Sequence, residues 1–259
     1  MRIHQIRNAT MIIEYDGIKF LVDPMFAPKG EVNGNGVDEP IIDVPWPLHD
    51  LPLPPKDIIK NIDAVILTHL HTDHFDKFAQ EILPKGIKIF VQDIFDKFAL
   101  EKEHFTDIEI LDESGTEFNG IKLYKTRCMH GVREDAEFIF LANGMRWEAM
   151  GVVFSADNEP TLYLTGDTIL FDGVKQTIDA YKPKYTVVNA DCSQISHSGP
   201  LNMGVNDIKE LHEYYPEGKL FVNHLDCVGY STLSRADLRA SEVKDYIYPP
   251  ADGEMMLLD

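Results

Sequence analysis

Cysteine is scarce. The three in this chain, Cys128, Cys192 and Cys227, have neither the number nor the spacing of a disulfide framework or a thiolate zinc knuckle. A reducing, cytoplasmic setting is the expectation. Positive charge is also short: 24 lysines and arginines face 43 aspartates and glutamates, a formal net charge of −19. That field repels phosphate backbones and anionic lipid, so neither a nucleic-acid partner nor a membrane-surface partner is expected unless a local basic patch overrides it. No apolar run approaches the roughly 18 residues of a membrane span, and the opening Met1-Arg2-Ile3-His4-Gln5-Ile6-Arg7 lacks the apolar stretch of a signal peptide. Short-period repeats and low-complexity tracts are missing as well.

What remains is an ordinary globular mix, 44% hydrophobic and 26% charged. At 259 residues the chain can bury a substantial core without a covalent staple. Residues 11–15 and 18–22 read as a hairpin around Asp16-Gly17, a pair suited to the positive φ values of a tight turn. Residues 24–57 carry eight prolines with little periodicity and read as a long loop. Strands are expected at 62–67, 87–91, 121–126, 137–141, 151–155, 161–164, 185–190 and 220–223. Helices are expected at 75–83, 94–102, 173–181, 205–215 and 235–247, the last opened by Ser234 and Asp237 at capping-box spacing. Mixed sheets covered by helices on their outer faces are the simplest architecture for this order, and no linker divides the span 1–259, so one domain is expected.

The chemistry concentrates in Thr68-His69-Leu70-His71-Thr72-Asp73-His74-Phe75, directly after the apolar run 62–67. The carboxyl end of a strand is where open α/β sheets place their ligands. In extended geometry His69 and His71 project to one side, while Asp73 and His74 lie past a bend and can turn to a second point nearby. One ion would use three or four of these groups; two pairs suggest two ions. A helix end needs only one or two capping residues, so a surface cap does not account for four. Four groups cannot complete two sites, and His130, Asp167 and His224, each just beyond a short apolar strand, are the candidates to complete them. His4, His49, His104 and His212 carry no such pattern, and His212 falls within an amphipathic helix.

His69-x-His71-x-Asp73-His74, followed by His130, Thr165-Gly166-Asp167 and His224, resembles the metallo-β-lactamase-fold hydrolases in order and spacing. The match runs from Leu21-Val22-Asp23-Pro24 to Ser234-Arg235-Ala236-Asp237-Leu238-Arg239, and it looks most like the compact, stand-alone, lactonase-like branch. The resemblance implies an α/β fold, a four-layer αβ/βα sandwich with two metals in an edge cleft. It implies that His69, His71 and His130 hold one ion and that Asp73, His74 and His224 hold the other. Asp167 would bridge them. It also implies that Asp23 supports a ligand histidine from behind, against the plainer role of a turn residue ending a hairpin strand.

Imidazole and carboxylate ligands without thiolate suit two divalent cations, zinc or manganese foremost and iron among the alternatives. Such a pair shares an acidified water, so metal-assisted hydrolysis of a small ester, lactone, amide or phosphodiester is expected. Asp73 would also orient the attacking oxygen. His197, in Ser196-His197-Ser198-Gly199-Pro200, is the candidate to protonate a leaving group or bind substrate, against the plainer role of a solvated loop histidine. Cys128 and Cys227 are read as packing residues. Phe26, Trp46 and their loop would form a substrate wall, or equally a homo-oligomer contact. The competing functions are a nuclease or phosphodiesterase on the same scaffold, a diiron redox enzyme, and a metal-dependent protein that binds a ligand without turning it over. Relatives that process nucleic acid usually add an inserted domain or basic extension, and diiron relatives carry glutamate where His71 stands and a fused flavin domain. Neither pattern is present.

Overall fold

The computed structural model describes residues 1–32, 44–194 and 199–259. Its strands form two sheets of seven, and each sheet is built the same way, an antiparallel meander that continues into parallel strands. In the first, β1 (Arg2–Arg7), β2 (Thr10–Tyr15) and β3 (Ile18–Val22) are antiparallel. Then β4 (Ala64–Ile66), β5 (Lys88–Val91) and β6 (Asp107–Ile110) run parallel to β3. Helices α1 (Pro55–Ile58), α2 (Lys77–Ile82) and α3 (Ile94–Lys102) fall between those parallel strands.

The second sheet opens with β7 (Thr116–Phe118), β8 (Ile121–Arg127), β9 (Met150–Ala156) and β10 (Glu159–Leu164), antiparallel in turn. It continues parallel through β11 (Tyr185–Asn189), β12 (Lys219–Asn223) and β13 (Ile247–Tyr248). Helix α4 (Arg133–Ala142) joins β8 to β9, and α5 (Asp172–Tyr181), α6 (Val205–Tyr214) and α7 (Arg235–Ala240) punctuate the parallel run. A last strand, β14 (Met255–Leu257), returns to pair with β1.

Side-chain alternation turns these sheets into layers. Ile66 and Phe90 point inward to a core shared with Val152, Phe154, Leu164 and Val187 of the other sheet. Their neighbours Val65, Ile89 and Val91 point outward, where they bury Ile58, Ala79 and Leu100 of the first three helices. In the second sheet Val153, Tyr163, Val188 and Val222 do the same beneath Val174, Ile178, Ile208, Leu211 and Leu238. The result is the four-layer αβ/βα sandwich expected from the sequence. No helix among the described residues is long and apolar enough to cross a membrane.

Three expectations are corrected. The segment 137–141 is not a strand but part of α4. Five apolar-rich residues do not distinguish the two periods; here Ala136 and Phe140, one turn apart, share the buried face while Arg133 and Glu137 pair along the exposed one. The last helix stops at Ala240, because Ser241 is extended and its hydroxyl donates back to the Leu238 carbonyl; Ile247 belongs to β13 instead. Phe26 and Trp46 form no exposed wall. Both are buried, Trp46 in a cluster with Met25, Cys227 and Val228, and Val32 and Trp46 exchange two backbone hydrogen bonds that hold Trp46 there.

Candidate metal centre

The site starts at Asp23, where β3 ends with a left-handed φ of 43°. Its carboxylate accepts from the Thr68 N–H at 2.8 Å and from the Thr68 hydroxyl at 2.7 Å, fixing the exit of the chain from β4. His69 follows. A turn closed by the His74 and Phe75 N–H groups on the His71 carbonyl then brings His74 back beneath it. His130 comes from the loop between β8 and α4. Asp167 follows Gly166, whose φ is +66° and where a Cβ would meet the Met150 carbonyl oxygen at 2.3 Å; no other residue type fits. His224 leaves β12 in the left-handed region, and its N–H donates to the Asn8 carbonyl in the turn between β1 and β2.

The structure thus brings all seven expected ligands together, six of them buried and His71 partly so. His69, His71 and His130 place ring nitrogens within 4.8 Å of one another, and so do the ligand atoms of Asp73, His74 and His224. Asp167 joins His69 and His74 in a third such group, and its Oδ2 lies 3.3 Å from His74 Nε2 and 3.8 Å from both His130 Nε2 and His224 Nε2. His197 lies outside the described residues.

The protons of four of the five imidazoles follow from what lies behind them. His71 Nε2 sits 2.7 Å from the Arg146 carbonyl and His130 Nδ1 sits 3.2 Å from the Leu201 carbonyl. His74 Nδ1 is 2.9 Å from Asp23 Oδ2, and His224 Nδ1 is 3.3 Å from Asp191 Oδ2. Carbonyls and carboxylates only accept, so His71 Nε2, His130 Nδ1 and His74 Nδ1 carry the hydrogen; His224 Nδ1 makes no hydrogen bond, and its Nε2 lies 3.0 Å from Asp73 Oδ2. His69 follows by one more step. The Thr68 hydroxyl spends its proton on Asp23, so at 3.1 Å it accepts from His69 Nδ1. In the neutral ring the inner nitrogens of His69, His71, His74 and His130 therefore hold a bare lone pair. His69 Nε2 is buried with no hydrogen-bond partner, and His74 Nε2 and His224 Nε2 stand 3.0 Å apart. Four inward imidazole lone pairs, with His224 and the Asp73 and Asp167 carboxylates beside them, form a donor set that fits cations.

Charge tells the same story. Burial pulls His74 down, but Asp167, Asp73 and Asp23 outweigh it and lift the ring to about 10. His224 is raised well above its ordinary value despite burial, through Asp167 and Asp191. On the other side burial, then His130, pushes His71 down to about 4. Burial and the neighbouring rings hold His69 well below the usual histidine range. The carboxylates of the cluster thus draw positive charge to the His74–His224 side, as protons where no cation is bound.

One comparison decides the family. The model of the beta-lactamase superfamily domain matches residues 19–225 of this chain, a stretch that contains every one of the seven groups. The chain belongs to the β-lactamase superfamily. Within this superfamily it is 40% identical to the UPF0173 protein YddR of Bacillus subtilis, over 98% of either chain. The crystal structure of isothiocyanate hydrolase from Delia radicum gut bacteria is 34% identical and superposes with a TM-score of 0.92, covering 100% of this chain and 99% of that one. A possible metal-dependent hydrolase from Veillonella parvula gives 34% and 0.93 over the same shares. This β-lactamase superfamily member is an enzyme of the metal-dependent hydrolase class.

Several supporting residues of this superfamily member escaped the sequence reading. Asp191 lies behind His224, its Oδ2 3.3 Å from His224 Nδ1, and its Oδ1 is held by the Ser193 N–H and the Asn202 amide. Its signal was weak: an acid two residues beyond a buried strand. Asn189 donates to Asp167 Oδ1 at 2.7 Å, and Asn8 donates to the Asp73 carbonyl at 3.0 Å. The Phe140 ring lies against both His130 and His71, at centroid distances of 5.0 and 4.9 Å, and makes that side of the site apolar. The cysteines are packing groups: burial raises Cys128 well above its ordinary value and pushes Cys227 up to about 12. His212, in α6, stacks on Tyr246.

Proposed function

We propose that this chain is a dinuclear hydrolase of a small molecule. His69, His71 and His130 would hold one divalent ion, Asp73, His74 and His224 the other, and Asp167 would bridge them. The observation that carries this is convergence: the ligand atoms of His69, His71 and His130, those of Asp73, His74 and His224, and those of Asp167, His69 and His74 each lie within 4.8 Å of one another. Two ions of zinc or manganese, with iron also suited to these ligands, would polarise the attacked bond and acidify a shared water that serves as nucleophile.

The protein's own groups do the rest. Asp23 holds His74 against rotation, and Asp23 and Asp191 raise the basicity of His74 and His224 as ligands. Asp73 has a carboxylate oxygen 3.0 Å from His224 Nε2 and can accept the proton that the attacking water gives up. The Phe140 ring, with Leu201 beside it, excludes water from the His71–His130 side and offers an apolar surface to the substrate. His197 remains the group proposed from sequence to protonate the leaving atom.

A net charge of −19 disfavours a nucleic acid as substrate. The likeness to an isothiocyanate hydrolase adds a second substrate class, because an isothiocyanate carbon is a small electrophile on an apolar side chain and suits a wall of this kind.

The test is metal analysis of the purified protein, then a screen of lactones, thioesters, phosphodiesters and an aryl isothiocyanate. Activity should vanish with EDTA and return with manganese or zinc. His71→Ala and Asp167→Ala should each lower turnover by at least about a thousandfold, a barrier increase of about 4 kcal/mol, while the far-ultraviolet circular dichroism stays that of the wild type. Wild-type rates in either variant with metal in excess would remove the two-metal reading. Tight ligand binding with no turnover would favour a binding protein.

A further inference from the structure

Strand β14 ends the first sheet, and from Met255 to Leu258 it carries no charge, in a chain of net charge −19. It pairs antiparallel with β1, Arg2 opposite Leu257, Ile3 opposite Met256 and His4 opposite Met255. The Leu258 N–H donates to the Met1 carbonyl at 3.0 Å and the Gln5 N–H to the Glu254 carbonyl at 2.9 Å, so the even-numbered residues turn their backbone groups toward β1. Antiparallel pairs alternate, and Met255 and Leu257 therefore turn theirs outward. Their side chains are 60% and 74% exposed, whereas Met256 between them is buried in the core. Among the described residues no strand covers this edge. Beside it a groove of about 710 Å³ opens between β14 and β13, lined by Leu220, Phe221, Tyr246 and Tyr248.

An open row of N–H and C=O groups recruits another strand unless charge, proline or a covering loop blunts it. This edge fits its own copy. Two β14 strands set antiparallel about a two-fold axis at Met256 place Met255 opposite the partner's Leu257, and Leu257 opposite the partner's Met255. Both residues turn their backbone groups outward, so each of these pairs exchanges an N–H···O bond in both directions. The exposed apolar side chains then meet as cross-strand neighbours. The charges agree as well. Glu254 comes opposite the partner's Leu258 and Gly253 opposite the partner's Asp259, so no like charges face each other. The Glu254 carboxylate is turned back on its own chain, where it accepts from the Ala251 N–H and the Tyr248 hydroxyl. The row of side chains that continues inward from Leu257 is Arg2, Glu14 and Lys19, two cations to one carboxylate, so two anionic copies can approach here. We infer that β14 is the contact through which two copies of this chain associate, joining their first sheets into one continuous sheet. The ligand cluster follows the carboxyl ends of β4, β10 and β12, whereas the groove is lined by the opening residues of β12, so the association leaves the candidate metal centre open.

Light scattering on the full chain eluting from a sizing column should give the mass of a dimer. Leu257→Pro removes an N–H that points away from β1, so the folded copy loses no bond, but each of the two symmetric pairs loses one. Association should weaken at least about 30-fold while the far-ultraviolet circular dichroism stays that of the wild type. Charge at the two exposed positions tests the register without touching the backbone. Met255→Glu combined with Leu257→Glu sets like charges directly opposite one another and should give a monomer; Met255→Glu combined with Leu257→Lys sets opposite charges there and should restore the dimer. A monomeric wild type overturns the inference, including one whose edge binds an extended peptide instead. A dimer that survives the paired glutamates overturns it too, and so does a glutamate–lysine variant that stays monomeric.

Discussion

Asp23 holds two neighbours at once, and both matter to the same ring system. Its Oδ2 takes the Thr68 hydroxyl proton, which obliges Thr68 to accept from His69, and it also takes the His74 Nδ1 hydrogen. One carboxylate therefore sets the tautomer of two candidate ligands. Asp23→Asn offers a donor where an acceptor stood, so either bond can invert and turn an inner N–H toward the cation. Metal affinity should fall about 10- to 100-fold, measured by competition with a chromophoric chelator. Equal affinity in the variant would mean that the histidines are oriented by packing alone. The first ring of residues was legible from the sequence because metal chemistry demands particular residue types at close spacing. Asp191 was not, since an aspartate in a loop has many ordinary reasons to be there, and only the distance to His224 Nδ1 distinguishes it.

Elements matter here chiefly for where they hold backbone carbonyls. The Arg146 carbonyl fixes His71, and Arg146 is in turn anchored to α3 by Asp93 and Asp96 at 2.7 and 2.9 Å. The two carboxylates share one guanidinium unequally. Asp93 is lowered: burial opposes ionisation, but Arg146 and the N–H groups at the start of α3 outweigh it. Asp96 is the more buried, and burial raises it to about 6 against the pull of Gln92 and Arg146. An acid raised in the folded state contributes stability that is full below its unfolded value and is lost as pH rises through the folded one. In the ion-free protein this one group should remove of the order of 2 kcal/mol between pH 4 and pH 7. Asp96→Asn abolishes that loss, so the stability of the variant relative to wild type should climb across the interval in urea titrations. A constant or falling difference would refute it. This anchor was hidden from the sequence because it depends on α4, whose run Glu137-Phe138-Ile139-Phe140-Leu141 satisfies a strand pattern as well as a helical one. The long periodic helices and the strands buried on both faces were legible; β1 and the three-residue β7 were not, because their pattern comes from partners far along the chain.

At the scale of the whole molecule the site is a clasp between the two sheets. The cluster 69–74 follows β4 of the first sheet, whereas Asp167 and His224 follow β10 and β12 of the second, and Asn8 touches both sides by donating to the Asp73 carbonyl and accepting from the His224 N–H. Ions bound there would be available only to the folded arrangement, since ligands this distant in sequence converge only when both sheets are assembled. Metal at a hundred times its dissociation constant should therefore add about 2.7 kcal/mol and raise the thermal midpoint by roughly 5–10 °C. The sign with pH follows from His74, which at about 10 carries a proton at neutrality in the ion-free protein. Loading at pH 7 must expel that proton, so binding should release protons and weaken as pH falls. Calorimetry in two buffers of different ionisation enthalpy measures the release directly. Loading that left both the midpoint and the proton count unchanged would mean that the cations sit elsewhere, and that the two sheets are held by their apolar interface without help from the cluster at its edge.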